Sequence, residues 1–513
     1  MINNLFRYKK SIKIFIFIFL LVSTLFMLHN KLQFEITKSH SDDVHTMNFG
    51  ITSMYTGKVD ILRVGESTRW LARIIYPVAL YYMNSNMGGE HYVTGWNYPS
   101  GFYVSKHFKN PASVNDDPNI QDFVFAMKFV LGTLVILSFL LASYILSSTY
   151  GFIAGMSYFI FSMSSTLIGG MLSVFYTESS LIIVLNLIII LGLIKKPNIW
   201  RLYIWLSFLF AFAVSTKLTG LVLILPILSI IFLRDSSMLK NMKIEGFIFL
   251  SILFFLIINI FASSYMSLLD QTLANVYHLK TGHSNTVPSG IYQLKLIFKE
   301  LIPWILIFII SLLYLIFTKF NNKLFILSIG VSLLIMIIAL MGVSFYLPRN
   351  LTTPQTMMIL IISISLSIFI YTNKKTIFLK NNRKLVTIGI ILSLFIYHSY
   401  YIKKHTVSID ATLVLNSIKS CKSIATIDIE DGVIDNSTML ASMPNKFNLK
   451  KQQESFRNQF LPYDCIVVKK IKNNKQYTNY LLPLDYNLNV RYGKYFVYKN
   501  DIVYNKYINR NKK

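Results

Sequence analysis

The feature that most constrains this chain is its series of long apolar runs. FIFIFLLVSTLFML (15–28), LGTLVILSFLLASYIL (131–146), LIIVLNLIIILGLI (181–194) and KLFILSIGVSLLIMIIALMG (323–342) are four of them. Crossing the hydrocarbon core of a bilayer as a helix takes roughly 20 predominantly apolar residues. The pattern predicts a first span over 11–29. Ten further spans follow at approximately 123–146, 150–169, 178–194, 202–217, 219–233, 245–262, 301–318, 324–343, 354–371 and 385–402. Charged residues make up only 14% of the 513 residues, against about 25% in an ordinary soluble domain. The expectation is a polytopic α-helical membrane protein with about 11 transmembrane helices.

The net charge is +27, which in a soluble chain points towards nucleic acid. Here the basic residues have a nearer use, in cytoplasmic loops and beside anionic headgroups. Zinc-finger spacing and a Walker-type glycine loop are both missing from the sequence. The two cysteines, Cys421 and Cys465, exclude a cysteine-rich metal or iron–sulfur site. The N-terminus has the basic start and apolar run of a signal peptide. The run is long and lacks a clear small-x-small cleavage site, so it reads as a retained helix entering from the cytoplasm.

The basic residues also set the orientation. With the N-terminus inside, inner segments carry Lys9, Lys10, Lys195, Lys196, Arg234 and Lys374 among others, while the short outer turns carry only Lys217 and Arg349. Two larger stretches, 30–122 and 263–299, then face outward. Within the first, ESTRWLARIIYPVALYYMN has helical apolar spacing interrupted by Arg69 and Arg73, which suits an amphipathic helix at the membrane surface. Eleven spans put the C-terminal region outside as well. There the apolar runs shorten to strand length, as in IATIDI (424–429), CIVVKK (465–470) and YFVY (495–498). Residues 403–513 are therefore expected to form a small extracytoplasmic α/β domain, beside a transmembrane domain over 1–402. Cys421 and Cys465 lie just before or at two of these strands. They are either a disulfide of an oxidising compartment or two buried thiols. Reporter fusions at positions 240 and 450 are expected in opposite compartments, and finding both on one side would refute the topology.

Polar residues that bear chemistry collect at the outer boundary. SDDVHTMNFG (41–50) puts Asp42, Asp43 and His45 within four residues just past the first span. Adjacent acids are common in solvated loops, but a membrane mouth is a costly place to put them without a use. VFYTESS brings Tyr176 and Glu178 to the start of the fourth span. There Thr177 as a cap, and an acid facing the helix dipole, offer a purely structural account. STKLTGLVLILP holds Lys217 in a two-helix turn, where a lysine can simply snorkel to the surface. Its place against the orientation bias favours a bound anion instead. SFYLPRNLTTP holds Tyr346 and Arg349, and arginine suits bidentate contact with phosphate; interfacial anchoring is the structural alternative. Together these residues describe an outward-facing site for a lipid-linked phosphate, with its tail in the membrane and its headgroup at the mouth.

These motifs resemble those of the GT-C glycosyltransferases, and within them the protein O-mannosyltransferase and lipid A aminoarabinose transferase group. An Asp-Glu or Asp-Asp pair follows the first span in that group. The mannosyltransferases continue as Asp-Glu-x-His-Phe-Gly, where this chain has Asp42-Asp43-Val44-His45 and then Asn48-Phe49-Gly50. STKLTGLVLILP resembles the group's Thr-Lys-x-x-Gly-Leu turn with a later proline. SFYLPRNLTTP resembles its aromatic, Arg and Pro stretch before a late span. The likeness covers residues 10–400, and the C-terminal region is similar to the outer α/β domains of bacterial members.

The resemblance implies a GT-C-like fold in the bacterial inner (cytoplasmic) membrane with its active site facing outside. It implies a membrane glycosyltransferase that moves a hexosyl or pentosyl unit from a polyprenyl-phosphate donor to a glycolipid, polysaccharide or protein acceptor. Asp42 would be the base. Asp43 and Glu178 would position the acceptor or the sugar hydroxyls, Lys217 and Arg349 would hold the phosphate, and His45, Arg63, Tyr176 and Tyr346 would complete the binding surface. Nucleotide and nucleic acid have no part in it. The metal ligands of the aminoarabinose enzymes have no secure match, which leaves His278 and His283 as the candidates for a divalent ion. The rival class is a secondary transporter or a lipid-linked sugar flippase, whose charges would mark a transport path. Such proteins often show internal repeats. The absence of a clear repeat, together with the clustering of polar residues at one face, favours the enzyme.

Overall fold

The computed structural model describes residues 9–35, 66–87, 118–172, 174–194, 198–234, 243–260, 290–342, 348–372, 389, 392–394, 396 and 398. It also describes four strands between 424 and 500. Contacts divide the chain into two compact units, and the second holds all four strands.

The helical unit follows the apolar runs. The described helices are α1 (Lys9–Glu35), α2 (Glu66–Met87), α3 (Pro118–Tyr150), α4 (Phe152–Ser164), α5 (Thr166–Met171), α6 (Thr177–Leu193), α7 (Ile199–Thr216), α8 (Ile224–Arg234), α9 (Lys243–Ile258), α10 (Ile291–Phe317), α11 (Lys323–Met341) and α12 (Thr352–Thr372), with the end of α1 from His29 and the start of α3 to Phe125 counted in the second unit. Among the described residues, five stretches are long and apolar enough to cross a membrane: Phe125–Tyr150, Ile199–Thr216, Ile291–Phe317, Lys323–Met341 and Pro348–Tyr371. Shorter apolar helices stand at five more of the expected spans. The chain is a multi-pass α-helical membrane protein. The expected last span, 385–402, falls largely outside the described residues, so the count of eleven extends beyond them.

Burial orders these helices. The apolar stretch ending in α12 is 89% buried, whereas that of α10 is 28% buried. Thus α12 is the central post, packed on α4, α10 and α11. The bare face of α10, with Ile302, Leu306, Ile310 and Leu313 exposed, is dressed for lipid. Two expected spans are interrupted. The run 150–169 breaks at Ser165, which is extended and accepts a hydrogen bond from the Ile168 N–H as the cap of α5. A serine hydroxyl competing for backbone donors is a usual reason for a helix to restart. At the other end of α4, Gly151 has φ +106, a value open to glycine at little cost. A Cβ there would lie 2.4 Å from Tyr371.

The helix α2 is turned the opposite way from the surface helix its sequence suggests. Glu66, Arg69 and Arg73 are buried, at 3%, 1% and 3% exposure, while Ile74 and Val78 are more than half exposed. Residues i, i+3 and i+7 share a helix face, so the three charges form one inward stripe. Arg69 donates to Glu66 Oε2 at 2.9 Å and Arg73 donates to Glu66 Oε1. Burial lowers the pKa of both guanidiniums, and the Glu66 carboxylate, through charge and hydrogen bonding, opposes it.

In the second unit, β1 (Ile424–Ile427), β2 (Cys465–Lys469), β3 (Tyr486–Tyr492) and β4 (Tyr495–Asn500) form one sheet in the order β1-β2-β4-β3. The β1–β2 pair is parallel and the other two pairs are antiparallel. A parallel pair needs a crossover of a dozen or more residues, and residues 428–464 supply the length. The register pairs Ile427 with Val468 and Val468 with Phe496, and Ile466 with Tyr498 and Tyr498 with Leu488. Helices of the expected α/β domain, and Cys421, lie outside the described residues.

Candidate functional site

Three chain breaks converge at one end of the helical unit. The first is the entry to α6. Tyr176, extended at φ −100 and ψ 159, takes the cap position without a side-chain cap bond. The structural role expected of Thr177 is therefore not the one it has: its hydroxyl donates to Glu178 Oε2 at 3.0 Å. Ser179 Oγ, shared between the carbonyls of Met171 and Val174 at 2.8 and 2.7 Å, fixes the preceding turn. Glu178 sits in the first turn of α6, where the helix dipole favours a carboxylate, and is buried.

The second break is at Lys217. Helix α7 ends at Thr216, Lys217 is extended at φ −165 and ψ 146, and Leu218–Leu223 continues as a 3₁₀ turn. Gly220 lets this turn fold back on α7, since a Cβ there would meet Ala213 O at 2.2 Å. The third break is the 3₁₀ turn Pro348–Leu351, which carries Arg349 and Asn350 into α12. Thr352 Oγ1 ties it down by donating to Arg349 O at 2.6 Å.

The side chains of these breaks meet. Lys217 Nζ donates to Glu178 Oε1 at 2.9 Å and to Asn350 Oδ1 at 2.7 Å. Lys217 is 28% exposed against 3% for Glu178, so the ammonium is the part of this pair that a ligand can reach. The Arg349 guanidinium lies over the Tyr176 ring, 4.2 Å from its centroid, a cation–π contact. It is within electrostatic reach of Glu178. Four residues singled out in the sequence, Tyr176, Glu178, Lys217 and Arg349, thus come together from segments far apart in the chain.

The buried stripe of α2 is tied into the same helices. Ser67 Oγ donates to Phe212 O at 2.6 Å, Thr68 Oγ1 meets Ser180 Oγ at 2.8 Å, and Trp70 Nε1 donates to Ile258 O at 2.7 Å. Thr68 and Ser180 each stand two residues from a buried glutamate, Glu66 and Glu178. The first turns of α2 and α6 are therefore in contact. Asn350 and Glu66 had no place in the sequence reading. Asn350 gives no local signal, because its partner Lys217 is 133 residues away. Glu66 did give one, the placement of Arg69 and Arg73 on its own helix face.

Asp42, Asp43, His45, Arg63, Tyr346, His278 and His283 lie outside the described residues. Among the described residues there is no group of three His, Cys, Asp or Glu side chains that could hold a metal ion.

Comparison with known proteins gives the following. No family model matches the chain, and no curated protein matches it. Among solved structures, the chain is similar to ArnT from Cupriavidus metallidurans bound to undecaprenyl phosphate, at 11% identity and a TM-score of 0.49. The match covers 94% of this chain and 97% of that one. It is also similar to ArnT from the same organism in the apo state, at 10% identity, the same coverage and a TM-score of 0.49.

Proposed function

We propose that this protein is an integral membrane glycosyltransferase that takes a sugar from a polyprenyl-phosphate donor at the outer face of the membrane. The observation that supports this reading is the gathering of Lys217 and Arg349 around Glu178 at one end of the helical unit. Two hydrogen bonds leave the partly exposed Lys217 ammonium a third N–H to offer. Stacking on the Tyr176 ring fixes the place of the Arg349 guanidinium. An ammonium and a guanidinium at a dry boundary suit a phosphate whose lipid tail stays among the helices.

The acceptor, a hydroxyl of a glycolipid, polysaccharide or protein, loses its proton to Asp42 as it attacks the anomeric carbon. The bond from that carbon to the phosphate oxygen breaks, and the lipid phosphate leaves with the electron pair. Lys217 and Arg349 stabilise the charge growing on it. Glu178, held by Thr177 and Lys217, keeps the ammonium in place and balances its charge. No nucleotide is consumed.

Glycan profiles of the host envelope, taken with and without the gene, test the activity. Unchanged glycans would end this reading. For the site, Lys217→Met is expected to weaken binding of a polyprenyl monophosphate. The loss should be that of one charged hydrogen bond, about 1.5–3 kcal/mol. Unchanged affinity would move the phosphate elsewhere.

A further inference from the structure

Lys217 is not aimed by its own backbone alone. A lysine carries three N–H donors on a flexible stem with large rotamer entropy, and its only rigid guide from α6 is Glu178. An ammonium held by a carboxylate alone is drawn towards it and away from any incoming anion. The second contact, to Asn350 Oδ1 at 2.7 Å, is the shorter of the two. Its direction is fixed by chemistry: an ammonium has no acceptor, so the carboxamide must present oxygen to it and turn its NH2 elsewhere. Asn350 stands next to Arg349 on the same short 3₁₀ turn, and Thr352 pins that turn.

We propose that Asn350 is a positioning residue, whose carbonyl shares the Lys217 ammonium with Glu178 and holds it in register with Arg349, so that the two cations grip one phosphate. The proposal rests on the phosphate-binding reading above and adds to it the residue that sets the spacing of the grip. Asn350 is neutral, so it divides the ammonium between two acceptors without adding a second negative charge to repel the ligand.

The test is a double-mutant cycle on the full-length protein in detergent, with a polyprenyl monophosphate as the probe. Asn350→Leu, which removes the acceptor at similar size, is expected to weaken binding about tenfold, the order of one charge-assisted hydrogen bond. In the Lys217→Met background the same change is expected to cost less than about twofold, because nothing is left to position. Asn350→Asp keeps the acceptor and adds a charge. It is expected to weaken the probe more than it weakens an uncharged polyprenol. A purely structural role for Asn350 would give equal losses in both backgrounds and for both probes, and would overturn the proposal. If Lys217→Met binds normally, the phosphate reading itself falls and takes this inference with it. If Lys217→Met binds weakly while Asn350→Leu binds normally, this inference alone is wrong.

Discussion

Asp42→Asn is expected to lower turnover by roughly 10²–10⁴-fold, the contribution of a positioned general base, while folding and donor binding persist. The change is nearly isosteric and removes only the proton acceptor. Both acids of the pair follow the first span, but neighbouring side chains diverge: to opposite sides if the backbone is extended, by about 100° if it is helical. One carboxylate can therefore meet the acceptor hydroxyl while the other turns to the protein or to a cation such as Arg63. The likeness to the mannosyltransferase motif assigns the base to the first of the two. Asp43→Asn should accordingly be milder, or act mainly on binding. Single-turnover assays of both variants decide the assignment. If Asp43→Asn abolishes transfer and Asp42→Asn keeps more than about a tenth of wild-type turnover, the order is reversed.

Glu66→Gln is expected to be the costliest change to stability, on the order of 3–5 kcal/mol, the usual result of breaking a buried ion pair from one side. Its carboxylate gives one oxygen to Arg69 and the other to Arg73. An amide of the same shape offers one acceptor and confronts the second guanidinium with a donor. Arg73 also lies over the Trp70 ring, 4.8 Å from its centroid, and the Trp70 indole is bonded to Ile258 O. Loosening Arg73 should therefore loosen the packing of α2 on α9. Thermal and denaturant melting in detergent would measure the loss, with Glu66→Asp, which keeps the charge on a shorter stem, falling between. A cost below about 1 kcal/mol, the scale of an exposed pair, would mean that Glu66 is not what neutralises this stripe.

The spans were legible because an apolar run long enough to cross a bilayer has few other fates. What the runs did not disclose is where a span restarts. Ser165 splits one of them by taking the Ile168 N–H with its side chain, and Lys217 with Gly220, packed against the Ala213 carbonyl, opens another as a 3₁₀ turn. Glu178, Lys217 and Arg349 were legible as departures: charges at a boundary where lipid and the orientation bias disfavour them. Asn350 was not, since a neutral amide departs from nothing until its distant partner is known. The α2 stripe misled for a definite reason. Charges at helical spacing imply a wet face in a soluble protein, whereas here they pair with one another in the interior and leave Ile74 and Val78 exposed.

That orientation carries a consequence for biosynthesis. The ribosome delivers α2 before α6, α7 and α9, the helices against which it packs. At about 5–20 residues per second, it waits for several seconds or more with its docking partners unmade. During that wait its three charged groups have only one another, water and headgroups as partners, and the pairing of Glu66 with Arg69 and Arg73 lies within the helix itself. The packing of α2 is thus completed only after α9 has been made, and an insertase or chaperone that shelters α2 would act at that interval.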